Sequence, residues 1–224
     1  MYKISEVLNL KQTNPNEQIS VFIDAEYVIQ SIRVIKGKPK NSIVPINNIC
    51  WDKFILDLID GRTAKEIIYY SSELNKDENP DTYKKQKEYL LNVQKQVPNL
   101  SVRLGKMQKV KVKISGTWVE NTEYKGQSDL HTWVQKGIDV KMSLDLILKA
   151  VKNEYETAIL VAGDSDFEEV IKEIKFFGKK VELVTFDRFD VGVVGSLSKV
   201  ADEHKQITYE DGNGLYWKTQ FKRT

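Results

Sequence analysis

Five short, mostly apolar runs rich in β-branched residues punctuate the chain, and longer segments with helical spacing separate them. The runs are ISVFI at 19–23, KEIIYYS at 65–71, LSVRL at 100–104, TAILVA at 157–162 and KVELVT at 180–185. Such runs read as strands buried on both faces. Between them, residues 46–60 carry apolar side chains at helical spacing and end at Gly61. Residues 81–97 form a basic helix that stops before Pro98. A helix runs to about Glu154, and another spans 166–177 before Gly178. Strands alternating with helices specify an α/β fold with a central, mostly parallel sheet and helices on both faces. Residues 109–114 and 117–120 alternate around Ser115-Gly116, which predicts a β-hairpin insertion at about 106–125 rising from the sheet. Residues 121–135 read as a loop. A short helix near 196–203 and a strand at 206–209 complete one domain over 1–209. The tail at 210–224 mixes Tyr216, Trp217 and Phe221 with Lys218, Lys222 and Arg223. These residues suit an RNA grip, an extra edge strand or a homodimer contact.

The chain has 224 residues, enough for a core without covalent staples. It holds one cysteine, Cys50, and two histidines, His131 and His204. A disulfide framework is therefore excluded, and a structural zinc site lacks ligands. No run of 18 apolar residues occurs, and the first twenty residues lack an apolar signal core, so the expected setting is cytoplasmic with no membrane partner. The net charge of +2 conceals a strong asymmetry. Nine basic residues lie between Lys84 and Lys113, opposed only by Glu88, whereas Asp139 to Asp190 holds twelve acids against eight bases. A basic strip followed by an acidic one fits a polyanionic partner such as nucleic acid, and equally a solvated helix followed by lysine-guarded edge strands.

In open α/β sheets, ligands bind beyond the carboxyl ends of the strands. Asp24 follows the first run, and Asp164 and Asp166 follow the fourth in AGDSDF. The helix before the fourth strand runs antiparallel to it, so its start, with Asp139 and Asp145 in KGIDVKMSLD, faces the same edge. Five carboxylates thus have a route to one place. Their mutual repulsion favours a cation, and an all-oxygen donor set suits Mg²⁺ or Mn²⁺. Such a site serves phosphodiester hydrolysis. Asp139 and Asp145 stand about 120° apart on one helix and cannot both point straight at the site. Either the helix starts at Asp139, or Ser143 caps it and Asp145 lies in its first turn. Asp166 also fits a plain helix cap.

These residues resemble the NYN domain family of PIN-like, metal-dependent ribonucleases, which includes the LabA-like proteins. The likeness rests on VFIDAEY and on KGIDVKMSLDLILKAVKNEYETAILVAGDSDFEEVIKEIKFFGKKVELVTF, with SLSKVAD as a closing element. It implies a Rossmann-like PIN/NYN fold, a divalent metal and an RNA substrate, single-stranded by expectation. It places Asp24, Asp139, Asp145, Asp164 and Asp166 at the acidic catalytic positions, the first four as metal ligands. Where the family commonly carries asparagine three residues after its first aspartate, this chain has Tyr27. Lys136, Lys109, Lys111 and Lys113 are candidate contacts to the phosphate backbone, and Trp118 is a candidate base-stacking residue. The competing function is a module of the same fold that binds RNA or a protein without cutting.

Overall fold

The computed structural model describes residues 17–34, 49–111, 131–188, 195–208 and 220–222. Its elements are β1 (Ile19–Asp24), α1 (Ala25–Val34), α2 (Trp51–Ile59), β2 (Ala64–Glu73), α3 (Pro80–Gln96), β3 (Leu100–Lys111), β4 (His131–Lys136) and α4 (Ile138–Val151). They continue with β5 (Thr157–Val161), α5 (Phe167–Phe176), β6 (Lys180–Phe186), α6 (Leu197–Val200), β7 (Glu203–Ile207) and β8 (Gln220–Lys222). The sheet order is β4-β3-β2-β1-β5-β6-β7-β8. The six central strands are parallel, and β4 and β8 flank them antiparallel. No helix among the described residues is long and apolar enough to cross a membrane.

Strand period explains the two cores. On β1, Ile19, Val21 and Ile23 face one layer, and Phe22 faces the other. The first layer holds Val28 and Ile32 of α1, Trp51, Phe54 and Leu58 of α2, and Leu90 and Val93 of α3. Trp51 anchors it, edge-on to Tyr69 at 5.1 Å, with its indole N–H donating to the Tyr89 hydroxyl at 2.9 Å. The second layer holds Met142 and Leu146 of α4, Phe167 and Ile171 of α5, and Leu197 of α6. Helix α3 starts at Pro80, whose missing N–H costs nothing there, and Asn79 caps it by accepting from the Thr82 N–H at 3.0 Å.

Two expectations change. Strand β3 continues unbroken to Lys111, and its outer half pairs with β4, in register from Lys106 with Lys136 to Lys111 with His131. The arm that pairs with β3 is thus 131–136, all of which but Lys136 lies in the segment expected to be a loop; the expected hairpin arm at 117–120 lies outside the described residues. The reason lies in packing. Gly105 of β3 offers bare backbone on which Ile138, the first residue of α4, sits; a Cβ at 105 would lie 2.6 Å from Ile138 Cδ1. The strand that leads into α4 must then lie beside β3. Ser115-Gly116, Lys113 and Trp118 lie outside the described residues. The second change is at Cys50, which lies inside the segment of helical spacing at 46–60 but precedes α2 and is exposed. Part of the tail, Gln220–Lys222, adds an edge strand along β7.

Near the amino-terminal edge, a buried ion network ties the turn before β2 to β6 and β7. Arg62 forks onto Glu182 with Nη1–Oε1 of 2.6 Å and Nη2–Oε2 of 2.8 Å, and Lys205 Nζ lies 3.2 Å from the same carboxylate. Burial alone would raise the Glu182 carboxyl, but the Arg62 hydrogen bonds and the Lys205 charge outweigh it and hold it below the ordinary range.

Candidate active site

The chain winds from β1 outward to β2, β3 and β4, then crosses to β5 on the other side of β1. The carboxyl ends of β1 and β5 therefore flank the topological switch point, where the strands part and leave a crevice. Asp24 is the last residue of β1. Its Oδ1 accepts the Tyr27 N–H at 3.1 Å as α1 begins. Burial, with a further push from the negative charge of Asp139, raises its carboxyl to about 6 against these N–H bonds.

After β5 the turn Gly163-Asp164-Ser165-Asp166 leads into α5. Asp164 Oδ1 accepts the Asp166 N–H at 3.0 Å, a turn that the aspartate side chain stabilises on its own backbone. Asp166 occupies the N-cap position of α5, yet its side chain makes no cap bond, so the simple capping role is not realised. Helix α4 begins at Ile138, which puts Asp139 in its first turn. Of the two alternatives, the helix starting at Asp139 is the one adopted. Burial and the charges of Asp164 and Asp166 raise the Asp139 carboxyl. Asp24, Asp139, Asp164 and Asp166 thus share one electrostatic neighbourhood, drawn from β1, α4 and the β5–α5 turn.

Asp145 does not join them. It lies further along α4, where Oδ2 accepts the Tyr70 hydroxyl at 2.8 Å and lies 3.7 Å from Arg103 Nε. The 120° offset from Asp139 turns it toward β2 and β3. Lys136 ends β4, exposed, three residues before Asp139 and paired in register with the exposed Lys106. The backbones of Lys109 and Lys111 lie in β3, but their side chains, with Lys113 and Trp118, fall outside the described residues.

Two residues complete this edge: Tyr27, which stands where the family commonly has asparagine, and Arg188, which carries no expectation from sequence. Arg188, just after β6, places its guanidinium 5.8 Å over the Tyr27 ring and donates to Ser31 Oγ at 3.3 Å. Tyr27 packs against Gly163 so closely that a Cβ there would lie 2.6 Å from the ring Cζ. Gly163→Ala is therefore expected to lose about 1–3 kcal/mol by overpacking, seen as a lower urea midpoint with an unchanged slope.

The donor chemistry fits a hard divalent cation: oxygen only, with two carboxylates whose charges are uncompensated. Among the described residues, no group of three or more His, Cys, Asp and Glu is drawn together tightly enough to hold an ion by itself.

Comparison with known proteins bears on the family and the fold. No curated protein matches the chain significantly. A crystal structure of a Vibrio parahaemolyticus protein, described as of unknown function, has a TM-score of 0.52 and 20% identity. The match covers 89% of this chain and 97% of that one, and it shows a shared fold. The NYN domain profile matches residues 18–208, most of the chain. On that match, the chain belongs to the NYN domain family, a PIN-like family of generally nuclease type.

Proposed function

We propose that the protein is a metal-dependent endoribonuclease acting on single-stranded RNA. The observation that carries this reading is the electrostatic coupling of Asp24, Asp139, Asp164 and Asp166 at the switch point of an NYN fold. Asp24, Asp139 and Asp164 are the residues to hold Mg²⁺ or Mn²⁺, with Asp166 beside them. When bound, such an ion supplies Lewis acidity to a scissile phosphate. Asp24 is poised to hold a proton below about pH 6 and to release it above. Lys136, Lys106 and Arg188 would neutralise the phosphates of a strand crossing the carboxyl edge.

The test is cleavage of an unstructured RNA with added Mn²⁺, in wild type and in Asp164→Asn. The variant should fold normally and cut at least about a hundredfold more slowly. Full activity in EDTA, or undiminished cleavage by the variant, would overturn the proposal. Metal-independent RNA binding without cleavage would instead establish the binding-module function. A pH series adds a second check. Asp24 takes up a proton as pH falls through about 6, so Mn²⁺ affinity should weaken by up to about tenfold per pH unit between pH 6 and 5 and level off above 7. A flat titration from pH 5 to 7.5 would exclude Asp24 as a ligand.

A further inference from the structure

We propose that Tyr27 is a positioning residue that sets the separation of Asp24 from Asp164. This rests on the reading that these two aspartates serve one ion. The geometry assigns Tyr27 three contacts, one to each part that forms the crevice. Its backbone N–H holds Asp24 Oδ1 at 3.1 Å. Its ring edge lies against Gly163, the residue before Asp164, with no room for a methyl group between them. Its hydroxyl accepts the Phe186 N–H at 3.1 Å, and its ring meets Phe186 edge-on at 5.7 Å.

The hydroxyl contact ties Tyr27 to β6 beyond its last pairing with β5, which joins Val161 to Val184. The Phe186 N–H, two residues further on, donates to the Tyr27 hydroxyl at 3.1 Å. A buried donor that loses its acceptor costs about 1–3 kcal/mol. The ring is thus held at its edge by Gly163 and at its tip by β6, with the Arg188 guanidinium over its face. A rigid aromatic with two side-chain torsions fixes a distance in a way that a short amide cannot. An asparagine at 27 would be too short to reach Phe186. In this chain the bulk of Tyr27 orders the two aspartates.

The experiment compares the full-length wild type with Tyr27→Phe and Tyr27→Asn by two readouts. The first is Mn²⁺ affinity from titration. The second is the set of backbone amide NMR shifts of Gly163 to Asp166 in the metal-free protein. Tyr27→Phe keeps the ring, so its Mn²⁺ affinity should stay within about threefold and the turn amides should keep their positions, although its melting point falls. Tyr27→Asn should fold, bind Mn²⁺ about ten- to a hundredfold more weakly and shift the turn amides. Should Tyr27→Asn not fold, Tyr27→Leu replaces it with the same expectation, since it keeps apolar volume but not the rigid edge. Unchanged turn amides in the asparagine or leucine variant overturn the proposal. So does unchanged affinity in a wild type that binds Mn²⁺. If the wild type binds no Mn²⁺, the metal reading fails by itself, and the turn amides alone decide the role of Tyr27.

Discussion

Asp24→Asn should abolish RNA cleavage and, in the same molecule, raise the melting temperature of the metal-free protein. The pair of effects is the mark of a charged group held in the site at a cost to stability. The wild-type carboxyl is raised from an ordinary 3.8 to about 6, first by burial and then by the charge of Asp139. At about 1.4 kcal/mol per pH unit, holding it ionised at pH 7 costs about 2–3 kcal/mol. Asparagine keeps the oxygen that accepts the Tyr27 N–H and removes the charge. For a domain of this size the gain is roughly 5–10 °C. The sign fixes the pH window. A carboxyl raised on folding contributes stability fully present below the unfolded value of 3.8, and lost as pH rises through about 6. The advantage of Asp24→Asn should therefore be full at pH 7.5 and shrink toward zero by about pH 4. Saturating Mn²⁺ should stabilise the wild type and leave the variant unchanged. Calorimetry at three pH values, with and without metal, checks all of this. A variant that melts at or below the wild type at pH 7.5 would show that Asp24 is not a strained ionised group.

The largest loss of stability is expected at the other edge of the sheet. Arg62→Ala removes both hydrogen bonds that reach Glu182 from the guanidinium and leaves Lys205 as its partner among the described contacts. The side chains of Arg62 and Glu182 are only 7% and 8% exposed, so water cannot replace what is lost. Breaking one half of a buried ion pair costs about 3–5 kcal/mol, or roughly 10 °C or more in melting temperature. Arg62→Met, Glu182→Met and Lys205→Met together should be much milder, because the triple variant removes all three buried charges at nearly constant volume. The Glu182 carboxyl lies below its ordinary value of 4.5 in the fold. Its contribution is therefore present above that value and lost as pH falls through the folded one, so the Arg62→Ala deficit should narrow under strong acid. Urea unfolding at pH 7 and pH 3 measures both effects. A deficit under about 1 kcal/mol at pH 7 would mean that Lys205 suffices.

The strand segments were legible because burial on both faces leaves an apolar run with few polar interruptions, as in Thr157–Val161, buried throughout. The helices α2, α3 and α5 were legible from spacing and from their stops at Gly61, Pro98 and Gly178. Helix α1 was not. It follows β1 directly, with no turn residue between Asp24 and Ala25, so nothing punctuates the change of period. The β3–β4 pairing was also hidden. A Ser-Gly dipeptide is a local turn signal, whereas the pairing that forms depends on α4 seating Ile138 on Gly105, a contact between residues 33 positions apart in sequence.

Sequence alone determined the alternation of strands and helices. It also offered five carboxylates, Asp24, Asp139, Asp145, Asp164 and Asp166, a route to one edge, because each lies near an element end whose direction the alternation dictates. It determined too that any metal there meets oxygen, since two histidines and one cysteine leave few other donors. Only the tertiary structure decided between Asp139 and Asp145. That choice depends on where α4 begins, and the packing of Ile138 on a glycine fixes it to within one residue. Only the tertiary structure showed Tyr27 between β1, the β5–α5 turn and β6. Its partners, Gly163 and Phe186, lie more than 130 positions away, and no local pattern records a contact made by shape across that distance.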